Sequence, residues 1–199
     1  GGMGIIMLGM MLLSRVMGGG MALARAELTG PSLSRLRPKV KETAFTLWKI
    51  YIGFTFIEIF LLGTLGGMSL FDSVNHGFTT MATGGFSTRD ASIGYYDSLK
   101  VEAIIIIFMF IGGINFTLIW FILAREFVKA YKDEEFKTYL VYILVAVSVM
   151  MVALVTTNVN LGDSFRQSLF QTISIGTSTG YTTQDYMTWP AVTQFILMI

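Results

Sequence analysis

Thr83-Gly84-Gly85-Phe86-Ser87-Thr88-Arg89-Asp90 is matched 95 residues later by Ser178-Thr179-Gly180-Tyr181-Thr182-Thr183-Gln184-Asp185, and this pair of stretches decides the fold. The first lies between two apolar runs long enough to cross a bilayer; the second follows such a run and precedes the apolar stretch 191–199. A glycine- and hydroxyl-rich loop recurring in that setting implies that its backbone is used. Taking water from a small cation is costly, so a pore must offer replacement oxygens. Backbone carbonyls do so without a full charge, and the ion can leave again. A wall of successive carbonyls needs unusual dihedrals, which glycine adopts without steric penalty. Irregular backbone at membrane depth persists only where protein buries it or water lines it. The pair therefore implies an ion selectivity filter. Its candidate lining residues are Thr83, Gly84, Gly85, Phe86, Ser178, Thr179, Gly180 and Tyr181.

The same offset pairs Ser69 with Ser164 and Asp72 with Gln167. Ser69-x-x-Asp72 and Ser164-x-x-Gln167 read as two capping boxes, each starting a helix. Each helix would run for about 13 residues, or roughly 20 Å. That is short of a bilayer core of about 30 Å. A re-entrant half-helix fits, with its negative dipole end toward the cation.

Composition agrees with a membrane setting. Hydrophobic residues make up 53% of the chain and charged residues only 14%, which excludes an ordinary soluble domain. With no cysteine, neither a disulfide nor a thiolate metal site can form. No cleavable signal peptide is evident. The chain opens inside an apolar run, as a start in mid-protein would.

Residues 1–27 read as the end of a first repeat, an inner helix in which Arg15 snorkels to the headgroups or serves as an intramembrane charge. Residues 28–44 form a cytoplasmic linker within a basic stretch, kept partly extended or turned by Pro31 and Pro38. Residues 45–127 form a second repeat of span, half-helix, filter and span. Its first span, Phe45 to Gly67, carries Trp48 and Tyr51 as belt aromatics, and Glu58 as an intramembrane carboxylate. Its second, Leu99 to Ala124, contains Gly112-Gly113 for close backbone approach and Asn115 for a cross-helix hydrogen bond. His76 is the only histidine; alone it makes no metal site, and packing is its expected role. Residues 128–199 form a third repeat, truncated in its last helix, which Trp189-Pro190 opens.

The basic loops give the orientation. Stretches 25–49 and 125–137 hold ten Lys/Arg, against Arg89, Lys100 and Arg166 on the filter side. By the positive-inside rule the linkers are cytoplasmic and the filters open outward. Asp90 and Asp185 then sit at the outer mouth, raising local cation concentration. A basic stretch could bind nucleic acid or anionic lipid, but positive-inside topology is the preferred reading; membrane lipid is an expected partner of the chain, and nucleic acid is not.

The fold class is thus an all-α membrane protein of repeated span, re-entrant pore helix, filter loop and span, truncated at both ends. In that order, and in its residues, the chain resembles the Trk/Ktr/HKT superfamily of potassium transporters, closest to the bacterial Trk-type membrane subunit. The segments carrying the resemblance are Gly1-Gly2-Met3-Gly4-Ile5-Ile6, Arg25-Ala26-Glu27, Glu42-Thr43-Ala44 with Leu47-Trp48, Ala82 to Thr88, Ala91-Ser92-Ile93-Gly94-Tyr95, and Thr179 to Thr183. The resemblance implies four repeats around one pore, with Gly85 and Gly180 as the second and third filter glycines. It also implies missing first and fourth repeats, a homodimer, a cytosolic nucleotide-binding regulatory subunit, potassium as the bound ion, and a multi-pass place in the cytoplasmic (inner) membrane.

An enzyme is not expected. The competing reading is an intramembrane serine protease, with Ser178 of Gly176-x-Ser178 as nucleophile and His76 as base. It leaves the 95-residue repeat unexplained. A membrane fragment without transport of its own is the third reading.

Overall fold

The computed structural model describes residues 33–114, 118–119 and 133–198, with side chains from residue 45 onward. The chain divides into two compact units, Gly1–Gly53 and Phe54–Ile199. Every regular element among the described residues is helical. The inner helix of residues 1–27 with Arg15, the Asn115 side chain and the basic loop 125–132 lie outside the described residues.

Helix α1 (Leu33–Thr64) runs through the stretch read as linker and on into the first span. Pro38, expected to keep this stretch extended or turned, is instead the sixth residue of the helix. A proline so near a helix start removes only the hydrogen bond to the first turn. Within α1, Phe45–Thr64 is long and apolar enough to cross a membrane, with a mean hydropathy of 1.6.

In the second unit, α1 buries Thr55, Glu58 and Leu62, one face at helical spacing, and exposes Phe56, Ile57 and Phe60. After the turn at Gly67, whose φ is +68°, the chain returns as α2 (Leu70–Met81). The Ser69 hydroxyl caps α2 by accepting from the Asp72 amide at 3.1 Å. Gly77 lets α2 lie directly on α1: a β-carbon there would stand 2.5 Å from Ile59 Cγ1.

Helix α3 (Leu99–Gly113) ends at Ile114, whose backbone is extended. The continuous second span expected over 99–124 is therefore interrupted, although Leu118 and Ile119 are helical again. Two glycines in succession weaken the helix there. Their lack of side chains also lets the backbone approach both helix ends leading into the loops. A β-carbon on Gly112 would lie 3.6 Å from the Thr80 and Met81 carbonyls, and one on Gly113 would lie 2.6 Å from the Thr177 methyl.

Helix α4 (Glu134–Val155) starts at Asp133, which accepts from the Phe136 amide at 2.9 Å, and has a mean hydropathy of 2.5 over a membrane-crossing length. Helix α5 (Leu161–Gly176) packs on α3 and α4, with Phe170 fully buried. It does not begin at the expected Ser164 cap. Asn160 precedes it, and Ser164 is already inside the ladder, its amide bonded to the Asn160 carbonyl at 2.8 Å. The helix gains one turn, and Asp163 supplies the first-turn negative charge. Helix α6 (Ala191–Met198) follows Pro190, whose carbonyl accepts from the Thr193 amide at 2.9 Å.

The lengths of α2 and α5, 12 and 16 residues, correspond to about 18 and 24 Å, both short of a bilayer core of about 30 Å.

Candidate functional site

Helices α2 and α5 end in turns that correspond bond for bond. The Ala82 amide donates to the Phe78 carbonyl (3.0 Å), as Thr177 does to Ile173 (2.9 Å). The Thr83 amide donates to Thr80 (2.9 Å), as Ser178 does to Ile175 (2.8 Å). The Gly84 amide donates to Thr79 (2.7 Å), as Thr179 does to Ser174 (2.8 Å). Each donor and acceptor differs from its counterpart by 95 in residue number.

The backbone after each turn is alike as well. Thr83 and Ser178 have φ of 48° and 58°, and Gly85 and Gly180 have 64° and 88°. Non-glycine residues seldom adopt this region, and a threonine is strained in it. The left-handed residues alternate with Gly84 and Thr179, so neither loop is a regular strand or turn. A hydroxyl from each helix then grips the loop: Thr79 Oγ1 donates to the Phe86 carbonyl at 2.9 Å, and Ser174 Oγ to the Tyr181 carbonyl at 2.6 Å.

The two loops touch at Gly85. A β-carbon there would land inside the Thr179 carbonyl and 3.2 Å from the Gly180 carbonyl carbon. The eight candidate residues are therefore two adjoining stretches of backbone. Gly84, Ser178 and Gly180 are exposed, whereas Thr179 and Tyr181 are buried.

Phe86 and Tyr181 occupy equivalent positions but different surroundings. Phe86 is 77% exposed, and Tyr181 is wholly buried. The Tyr181 ring packs beside His76, and its hydroxyl meets Thr79 and Thr80 on α2. The second loop is thus pinned to the helix that leads into the first.

The far end of the first loop is latched. His76 Nδ1 donates to the Asp72 carbonyl at 2.7 Å, since a carbonyl can only accept. Its neutral Nε2 then accepts from Ser87 Oγ at 2.9 Å. With both ring nitrogens engaged, His76 is not hydrogen-bonded to Ser178, and the nucleophile–base pair of the protease reading is not formed. Asp72 accepts from the Thr88 hydroxyl at 2.6 Å and from Arg89 Nη2 at 3.0 Å. The Thr88 hydrogen bond first, then Ser69 and Arg89, hold its carboxyl down at about 2, against the effect of burial. Arg89 also stacks over the Tyr95 ring.

Past the first loop, a 3₁₀ turn (Ser92–Tyr96) reaches the second. The Gly94 amide donates to the Thr182 carbonyl at 3.1 Å, and the Thr182 amide to Ser92 Oγ at 3.3 Å. Asp90 and Asp185 are both exposed; Asp185 also accepts from the Met187 amide at 3.0 Å.

Behind the second loop, Arg166 of α5 makes two bonds to Glu102 of α3, at 2.6 and 2.7 Å. The Glu102 carboxylate is buried. This pair was not foreseen: 64 residues separate its members, and nothing local joins them. The Ser92–Thr182 bridge was missed for the same reason. The Tyr181 hydroxyl had a sequence signal, since tyrosine replaces Phe86 at the repeat position.

Among the described residues no group of three or more His, Asp or Glu is placed to hold a metal. The oxygens on offer are backbone carbonyls and hydroxyls, weak ligands that suit a passing monovalent cation.

A profile of the TrkH family, described as a cation transport protein, matches residues 1–199. The Trk system potassium uptake protein TrkH of Vibrio parahaemolyticus is 39% identical over 204 residues, covering 100% of this chain and 42% of its own length. TrkG of Escherichia coli K12, also a Trk system potassium uptake protein, is 34% identical over 207 residues, with 41% of its length covered. The crystal structure of the potassium transporter TrkH from Vibrio parahaemolyticus superposes with a TM-score of 0.76 at 33% identity, covering 98% of this chain and 41% of that one. The chain thus spans about two fifths of the length of these relatives.

Proposed function

The chain belongs to the TrkH family of cation transport proteins, and from that premise we propose that it carries part of a potassium uptake path across the cytoplasmic membrane. Potassium is the transported ion. It passes along the carbonyls and hydroxyls of Thr83, Gly84, Gly85, Ser178, Thr179 and Gly180, with Phe86 and Tyr181 closing each loop. The observation that supports this reading is the contact at Gly85. Two loops of equal, strained backbone meet there with no side chain between them.

On this reading α2 and α5 are pore helices of two successive repeats. Their carboxyl ends direct partial negative charge toward the ion. Asp90 and Asp185 face the outside, and the basic stretches face the cytoplasm, as the distribution of Lys and Arg favours. Closing the path takes further loops of the same kind, from the parts of the relatives' length that this chain does not match. A homodimer, a nucleotide-binding regulatory subunit and surrounding lipid complete the assembly.

The test is the potassium-to-sodium permeability ratio of the full-length polypeptide in proteoliposomes. Gly85→Ser and Gly180→Ser are each expected to lower it. A ratio unchanged by both removes these loops from the ion path.

A further inference from the structure

Thr79, in the last turn of α2, has a polar contact with each of the two loops. Its hydroxyl oxygen lies 2.9 Å from the Phe86 carbonyl of the first loop and 2.5 Å from the Tyr181 hydroxyl of the second. It also lies 2.9 Å from the Asn75 carbonyl and 3.3 Å from that of His76. These oxygens surround a group that has a single hydrogen to give and lone pairs to receive another.

The neighbours decide where that hydrogen goes. The Asn75 and His76 carbonyls belong to α2, whose own amides supply them. The His76 carbonyl also accepts from Thr80 Oγ1 at 2.7 Å. The Phe86 carbonyl lies in the loop, beyond any helix ladder, and Thr79 is the donor within its reach. Ser174, 95 residues on, spends its hydrogen in the same way, on the Tyr181 carbonyl at 2.6 Å.

With the Thr79 hydrogen committed to Phe86, the Tyr181 hydroxyl is the donor in the 2.5 Å contact and Thr79 the acceptor. The other acceptor open to Tyr181, the His76 carbonyl, is farther away at 3.3 Å. Each link thus carries its own hydrogen: Tyr181 O–H to Thr79 Oγ1, and Thr79 O–H to the Phe86 carbonyl. Thr80 is not a link, since its hydrogen goes to His76. Accepting from Tyr181 also polarises the Thr79 hydroxyl and strengthens the bond that it donates. Phe86 follows Gly85 directly, where the two loops meet.

We propose that Thr79 is a positioning residue for ion selectivity: it fixes the first loop at Phe86 through a hydroxyl whose orientation Tyr181 of the second loop sets. Selectivity at Gly85 then depends on a hydroxyl carried by the other loop. This rests on the reading that the two loops line the ion path. Thr79 touches no ion in this role.

The experiment measures the potassium-to-sodium permeability ratio of the full-length polypeptide in proteoliposomes. Thr79→Ser keeps the hydroxyl, and its ratio stays within about twofold of the unsubstituted protein. Thr79→Val keeps the shape without the hydroxyl, and its ratio falls about fivefold or more, the order of one lost hydrogen bond. Tyr181→Phe removes only the donor from the second loop, and its ratio falls by more than about twofold but less than that of Thr79→Val. Adding Tyr181→Phe to Thr79→Val brings no further fall, because the link it breaks is already gone. A role in stability alone lowers total uptake and leaves the ratio of every variant unmoved, and that result overturns the proposal. So does an equal fall for Thr79→Ser and Thr79→Val, which would mean that shape and not the hydroxyl matters. An unmoved ratio for Tyr181→Phe also overturns it, which keeps the test decisive if Thr79→Val does not reach the membrane. Gly85→Ser and Gly180→Ser separate the two levels. If both leave the ratio unmoved, the ion-path reading fails; if they lower it while Thr79→Val does not, only the role of Thr79 fails.

Discussion

The Tyr181 hydroxyl, carried by the second loop, is hydrogen-bonded to Thr79 on the helix that leads into the first. The ring that brings it there is completely buried. Removing the hydroxyl by Tyr181→Phe leaves a polar cluster short of one member. The expected cost is about 1–3 kcal/mol of unfolding free energy. Thr79→Val should cost more, because it also frees the Phe86 carbonyl. Chemical unfolding of the detergent-solubilised protein checks both. In the double variant the losses should fall short of their sum by at least about 0.5 kcal/mol. Strict additivity would show that the two hydroxyls do not support each other.

Gly85 and Gly180 have equivalent backbone but should not tolerate substitution equally. A β-carbon on Gly85 meets the Thr179 backbone, which cannot step aside as a flexible side chain can. One on Gly180 meets nothing within 4 Å. Gly180→Ala therefore bears only the strain of its positive φ, about 1–2 kcal/mol. Gly85→Ala bears that strain and forces the loops apart. The melting temperature of Gly85→Ala is expected to fall well below that of Gly180→Ala. Equal melting temperatures would contradict the loop contact.

Arg166, with 28% of its side chain exposed, and the buried Glu102 tie α5 to α3. Arg166→Met leaves the carboxylate enclosed without a partner, at an expected cost of about 3 kcal/mol. Adding Glu102→Leu should recover most of it, because an apolar pair of similar size avoids the unpaired charge. Arg166→Lys should not, since an ammonium cannot reproduce two parallel bonds to one carboxylate. Denaturant midpoints of the three variants decide the matter. A stable Arg166→Met protein would mean that the tie carries no stability. The more distant Asp97, 3.6 Å from Arg166 and 92% exposed, should be replaceable by asparagine with little effect.

Asp72 gives the latch at Ser87, Thr88 and Arg89 its pH dependence. Its carboxyl is held at about 2 in the folded protein, below the ordinary value of 3.8. The folded state therefore favours the ionised form. That stabilisation is fully present above about pH 4 and is lost as the pH falls through 2. Comparing the melting temperatures of the unsubstituted protein and Asp72→Asn checks this. The gap should be constant from pH 7 to about 4 and narrow below that. A gap that closes near pH 6 would assign the dependence to another group.

The likeness of the two loops was legible because its parts are local. A glycine loop, a short amphipathic helix and a flanking apolar run each leave a mark within a few residues, and the constant offset linked Gly85 to Gly180. Ser69 was legible as a cap for the same reason, since its partner Asp72 is three residues away. Ser164 carried the same signal and misled, because Asn160 and Asp163 offered an equally good start one turn earlier. The break at Ile114 was hidden in an unbroken apolar run, where composition marks burial and not backbone direction. Glu58 was visible as a charge out of place. Its complete burial was not, because burial is set by packing and not by the local sequence.

The rung between Ser92, Gly94 and Thr182 ties the segment that follows the first loop to the segment that follows the second. The amides of Gly94 and Thr182 each donate across that junction, so an opening that separates the two segments releases both. In deuterated buffer the two should exchange at matched rates, set by one shared opening event. A peptide toxin or antibody that clamps the 3₁₀ turn alone would then slow exchange at Thr182 as well. A ligand held on the 3₁₀ turn would in this way sense, or set, the state of both loops from a single foothold.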